Sequence, residues 1–372
     1  MRIKDFKLER YFARYEFSAP YLLSCSDCEP LGLQELLSLA DQDTLTRWSH
    51  LKLGYTESQG QPVLREEVAG LYQTISPDDI LIAAPEECIF IAMNCLLEKG
   101  DHIITTFPGY QSLYEVARAI GCEISRWTQE EQDGFSFNIH KLKDLIREQT
   151  KLVVINFPHN PTGATLKEND LREILDLAGS RNIMVFSDEM YRFLEHHPSD
   201  RIAPACDLYN NAVSLSGMSK SFALAGLRIG WLATQNENLL RKFLAFKDYT
   251  TICNSAPSEI LALGALRAKE QIISRNLEII HSNLGILDRF FSRFNHLFTW
   301  SKPKAGPIAY PTLDRTIAVD TFCNELVEKK GVMLLPSSVY DDPGNHFRIG
   351  FARNNMPEAL ALLQEYLHET YG

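Results

Sequence analysis

From Asp79 onward the chain alternates short, nearly continuous apolar runs with segments of helical periodicity, and few folds accommodate that order. ILIAA precedes the helical EECIFIAMNCLLEKG; DHIITTF precedes QSLYEVARAIG; CEISRW precedes a helix near HKLKDLIREQ. KLVVINF, KENDLREILDLAGS and IMVFSDE continue the series, and AVSLS adds another strand. Strands that are apolar on both faces and separated by helices predict a mostly parallel sheet with helices on either side. Ligands of such sheets bind beyond the carboxyl ends of the strands. Asn156, Asp188 and Lys220 all fall there, after three different strands.

With 372 residues and 45% hydrophobic content, the chain can bury a large core and is expected to hold two domains. A formal net charge of -11, with both signs interspersed, argues against nucleic acid or an anionic membrane as partner. The eight cysteines are scattered. Cys25 and Cys28 form a lone CxxC with no second pair or suitably spaced histidine, which reads as ordinary reduced thiols rather than a metal or redox site. MRIKDFKLERYF is charged throughout, without an apolar signal core, and no apolar run is long enough to span a bilayer. Those features predict a soluble, cytoplasmic protein.

Six stretches carry chemistry. SLSGMSKSFALAGLRIGW holds Lys220 among small and polar residues, with Arg228 eight residues on. An amine nucleophile must be partly deprotonated, which desolvation and nearby positive charge favour, and an arginine fork suits a phosphate. NFPHNPTG is a constrained loop directly after a buried strand and contains Asn156 and Asn160. SDEMYRF ends another strand with Asp188 and Tyr191; FPGYQSLYE places Tyr110 near a helix start; HFRIGFA carries Arg348. Earlier, LGYTESQGQPVLREEVAGLY puts Tyr55 in a turn-rich loop before a helix opened by Pro62. Singly, each has an ordinary explanation: turn asparagines, a helix-capping aspartate, core or loop tyrosines, a surface arginine.

Together, in this order and spacing, these residues resemble the class I/II aminotransferases, pyridoxal 5'-phosphate (PLP) enzymes of fold type I, over about Leu53 to Ala352. The resemblance implies an α/β fold: a large domain with a mostly parallel sheet (46–280) and a smaller α+β domain (1–45 and 281–372), joined by the long helical pattern after Cys253. It implies that Lys220 bears the cofactor and acts as general base, that Asp188 faces the pyridine nitrogen, and that Asn160 and Tyr191 face its phenolic oxygen. Tyr110 would stack on the ring, and Arg228 with Ser216 and Ser219 would hold the phosphate. Tyr55 would reach the phosphate of a neighbouring subunit in a homodimer, while Arg348 and Asn156 would take the substrate carboxylate.

One turn departs from the family. Where it has small residues whose amides hold the phosphate, this chain has AAPEE, with a proline that lacks an N–H and two glutamates that repel an anion. Ala84 and Glu86 therefore stand only as backbone candidates. The activity implied is transfer of an amino group from an L-amino acid to a 2-oxo acid. A β-lyase, decarboxylase, cyclase or oxidase would use the same residues, and a PLP-binding regulatory protein is a further alternative. Nothing in the sequence selects the amino acid.

Overall fold

The computed structural model describes residues 2–131 and 134–371. Its centre is a seven-stranded sheet: β1 (Ile80–Ala83), β2 (His102–Phe107), β3 (Glu123–Thr128), β4 (Thr150–Asn156), β5 (Met184–Asp188), β6 (Ala212–Gly217) and β7 (Gly230–Ala233). In space they lie in the order β1-β7-β6-β5-β4-β2-β3. β7 runs antiparallel to both of its neighbours and the others share one direction. The expected mostly parallel sheet is present.

Strand periodicity explains why the central strands read as unbroken apolar runs. Along β4, Leu152 and Val154 pack into one core with the helices Pro85–Leu96, Ser112–Ile120 and Glu237–Lys247. Val153 and Ile155 pack into a second core, with the helix Glu168–Ser180, on the opposite face. Two glycines bring the first of those helices close to the strand ends. A Cβ on Gly230 would lie 2.8 Å from the Ser216 carbonyl and 2.9 Å from Pro85 Cγ, so only glycine lets Pro85 rest there.

The C-terminal part forms a three-stranded antiparallel sheet, Leu335–Pro336, Phe347–Gly350 and Ile308–Ala309, with the helices Val319–Lys330 and Met356–Tyr371 beside it. The N-terminal segment returns to it: Tyr21 bridges Val332, and Gly350 N–H donates to the Leu23 carbonyl at 2.5 Å. The long helical pattern after Cys253 is two helices, Ala256–Arg267 and Lys269–Arg293, broken at Ala268. Arg267 stands at the break. Its guanidinium pairs with Asp41, Asp43 and Glu67, which ties the end of the first helix to the N-terminal helices. Among the described residues no helix is long and apolar enough to cross a membrane.

Candidate active site

A cavity of about 360 Å³ opens beyond the carboxyl ends of β4, β5 and β6, where the sheet also meets the C-terminal strands and the N-terminal segment. The β4–β5 register sets Asn156 directly beside Asp188, each the last residue of its strand. Asn156 Nδ2 donates to the Asp188 carbonyl at 3.1 Å, and its Oδ1 accepts from the Asn160 N–H at 2.8 Å, so the loop after β4 is folded back onto the site. His159 ties the same loop to the Tyr110 turn, with Nδ1 2.8 Å from Thr162 Oγ1 and Nε2 2.9 Å from the Pro108 carbonyl. Burial pushes that imidazole down to about 3, so it stays neutral and acts as a fixed brace.

Lys220 follows β6 in a tight loop closed by the Leu224 N–H on the Met218 carbonyl. It is half-buried, and its Nζ donates to Ser26 Oγ at 2.8 Å. Burial lowers its ammonium below the ordinary lysine range; Asp27 opposes that, and Arg348 adds to it. Arg228 occupies the left-handed region, φ 55° and ψ 39°, which side chains other than glycine rarely adopt. That backbone turns the guanidinium back toward the lysine loop, 3.5 Å from Ser219 Oγ and 2.9 Å from the Ala225 carbonyl.

On the opposite wall Arg348 is 1% exposed. Its Nε and Nη2 donate to the Ser24 carbonyl at 3.1 and 2.7 Å, and Nη1 donates to Tyr340 Oη at 2.6 Å. Tyr340 in turn donates to Asn160 Oδ1 at 3.1 Å, linking the arginine to the loop after β4. The first helix, α1 (Lys7–Tyr15), covers this wall with Leu8, Glu9 and Phe12, and Glu16 follows at its end.

Burial dominates the electrostatics. It pushes the Asp188 carboxyl up to about 7, against the Met190 N–H that donates to it at 3.1 Å. It raises the Tyr191 hydroxyl, whose oxygen has no hydrogen-bond partner. It also raises Glu86, whose carboxylate accepts from Ser112 and lies against Tyr110.

These groups fit PLP. A lysine with a lowered pKa suits the aldehyde, and a buried carboxyl able to hold a proton near neutrality suits the pyridine nitrogen. The orphaned Tyr191 hydroxyl suits an aromatic oxygen, and Arg228 with Ser219 suits a phosphate.

Of the residues expected at the site, Tyr110, Asn156, Asn160, Asp188, Tyr191, Ser219, Lys220, Arg228, Arg348 and Glu86 line this one cavity. Ser216, Ala84 and Tyr55 do not. Strand alternation gives the cavity Leu215 and turns Ser216 away. Ala84 caps the helix Pro85–Leu96 behind Pro85, and Glu86 enters with its carboxylate rather than only its backbone. Tyr55 is 92% exposed on a loop elsewhere on the chain. Sequence reading missed Ser26, Asp27, Tyr340, His159 and the α1 wall. His159 lay within the loop motif, and Ser26 and Asp27 inside the CxxC read as ordinary thiols; Tyr340 and the α1 wall come from segments far apart in the chain.

The family model for aminotransferase class I and II matches residues 41–364. Capreomycidine synthase of Streptomyces vinaceus is 27% identical over 98% of this chain and 93% of its own length. The aspartate aminotransferase of Sulfolobus acidocaldarius is 25% identical over 85% of this chain and 82% of its own. The crystal structure of a PLP-dependent aminotransferase from Streptococcus suis superposes with a TM-score of 0.93 at 28% identity, covering 100% of both chains.

Proposed function

The chain belongs to the class I and II aminotransferase family and is a PLP-dependent aminotransferase, and on that premise we propose that the cavity beyond β4, β5 and β6 is where it moves an amino group from an L-amino acid to a 2-oxo acid. The observation that carries this reading is the convergence of Lys220, Asp188, Tyr191 and Arg348 on one cavity from three separate segments.

When bound, PLP supplies an aldehyde that condenses with amines and a ring that draws electrons from the substrate Cα. Lys220 Nζ would hold that aldehyde, and its free amine would be the base that takes the proton from the substrate Cα. Its lowered pKa keeps part of the amine in the basic form. Asp188 would face the ring nitrogen and keep a proton there, and a cation beside it would offset the burial that raises Asp188. Tyr191 and Asn160 would hydrogen-bond the ring oxygen, and Tyr110 would offer its face to the ring. Arg228 and Ser219 would hold the phosphate. Arg348 and Asn156 orient the substrate carboxylate, which exchanges Arg348's contacts with the Ser24 carbonyl and Tyr340 for charge-assisted ones.

The same reading takes the enzyme as a cytoplasmic homodimer with shared sites, of a large domain (46–280) and a small one (1–45 with 281–372). Leu53, Tyr55, Tyr249 and Ile252 are exposed on two loops joined by Ser58 to Asp248 at 3.0 Å and Thr56 to the Asn254 carbonyl at 3.3 Å. That apolar patch is suited to a second copy, and it supports Tyr55 acting in the partner's site. Eight free thiols accord with a reducing compartment.

Likeness to a relative named as a synthase favours a second reading, in which the same residues serve a reaction other than amino exchange. One experiment separates them. Supply an amino acid with isotopically labelled nitrogen together with a 2-oxo acid. Label in the amino acid formed from that oxo acid establishes transfer; conversion of the donor without label exchange favours the second reading.

A further inference from the structure

We propose that the amino acid this enzyme accepts carries a positively charged side chain, recognised by Glu16 and Glu9 of the N-terminal wall together with Asp27. The inference rests on the aminotransferase reading of the cavity and names its substrate class.

The cavity's cations are already committed. Lys220, Arg228 and Arg348 are its only lysine and arginine residues among the described ones, and they face the aldehyde, the phosphate and the α-carboxylate. What remains for the substrate side chain is acidic: Glu9, Glu16 and Asp27. Asp27 is ion-paired with Arg353 at 2.9 Å, but neither Glu9 nor Glu16 has a hydrogen bond or ion pair from its carboxylate among the described residues. The arrangement costs energy without a ligand. Glu16 stands at the C-terminal end of α1, where the helix dipole disfavours an anion; burial and the charges of Glu9 and Asp27 raise its pKa, while Arg353 and Lys220 partly oppose them. A ligand cation offsets the dipole and the like charges. The Tyr191 hydroxyl, 3% exposed and without a partner in the same cavity, is taken by the ring oxygen, which leaves the substrate side chain to these carboxylates.

Geometry sets the length of the side chain. Leu8, Phe12 and Glu16 recur every four residues and share one face of α1. The Arg348 guanidinium lies 5.9 Å from the Phe12 ring centroid. Glu16 lies one turn beyond Phe12, roughly 6 Å along the axis. A carboxylate on Arg348 thus leaves an aliphatic stem to cross Phe12 and a cationic head to reach Glu16, as lysine, ornithine or arginine would. The wall is fixed in place. Lys7 pairs with Asp341 at 2.5 Å, Gln111 donates to the Asp5 carbonyl at 2.9 Å, and Phe6 packs on Tyr110 with centroids 5.1 Å apart. A side-chain carboxylate on the substrate, as in aspartate, would meet only like charge from this chain.

The test uses cofactor-loaded protein and measures dissociation constants for L-arginine, L-lysine, L-ornithine, L-leucine and L-aspartate through the cofactor's visible absorption. Label transfer from each donor to a 2-oxo acid is followed in parallel. The expected result is at least one basic amino acid binding roughly tenfold or more tighter than leucine and aspartate. Glu16→Gln should abolish that preference and leave leucine unchanged, with Glu9→Gln/Glu16→Gln weakening the basic ligand further and circular dichroism showing intact folds. Tighter binding of aspartate or leucine, or a Glu16→Gln loss shared equally by all ligands, overturns the proposal. If aspartate donates label efficiently, the aminotransferase reading stands and this proposal falls. If basic amino acids bind selectively but donate no label, the charge assignment stands and the reaction class changes. If no amino acid binds, both fall.

Discussion

Lys220 owes its chemistry to its surroundings: burial lowers its pKa, Ser26 orients its amine, and Arg348 and Arg228 add positive charge nearby. Lys220→Ala should retain cofactor only non-covalently and lose roughly two to four orders of magnitude in kcat, measured by label transfer. Asp188 makes a prediction about pH. Its folded-state pKa is raised, so its favourable contribution to the cofactor-free protein is complete below about 4 and is lost as pH rises through about 7. The melting temperature of that protein should fall across this interval, and Asp188→Asn should flatten the fall; an equally steep profile in the variant would refute the assignment. Glu86 stands on the Arg228 side of the cavity with a raised pKa. Glu86→Gln should therefore tighten PLP binding, measured by equilibrium dialysis, most at high pH where the wild-type carboxylate is ionised. Asn156, Asp188 and Lys220 were legible because strand ends are marked by abrupt breaks in apolar runs. Ser24 and Tyr340 were not, since one acts through its carbonyl and the other lies outside any motif.

At the scale of elements, the strand Phe347–Gly350 carries Arg348 and packs flush against the N-terminal segment. A Cβ on Gly350 would overlap the Cys25 carbonyl, next to the Ser24 carbonyl that Arg348 grips. Gly350→Ala should cost about 1–3 kcal/mol in chemical denaturation and raise KM more than it lowers kcat, because it displaces the carboxylate clamp. The same change leaving both stability and KM untouched would show that the strand tolerates separation from Cys25. The alternation of runs made the sheet legible but not the reversal of β7, since an apolar run such as IGWLA reads alike in either direction. The break at Ala268 was hidden for a related reason. No glycine or proline marks it, and Arg267 at the helix end pairs with Glu67, 200 residues earlier in the chain.

At the scale of the whole molecule, the proposed homodimer makes one chain an incomplete enzyme. Tyr55 lies far outside its own cavity yet beside other exposed apolar side chains. Mixing inactive Tyr55→Ala protein with inactive Lys220→Ala protein should restore activity in the hybrid dimer, which then has one site with both residues intact; no recovery in a verified mixed dimer would place Tyr55 outside catalysis. The central claim, that the cavity beyond β4, β5 and β6 is a PLP site built on Lys220, has a more direct test. Reduce cofactor-loaded protein with borohydride, digest it, and map the cofactor mass onto peptides. The account predicts a single labelled peptide containing Lys220, with no label in Lys220→Ala. Label on another lysine, or none on any, would contradict it.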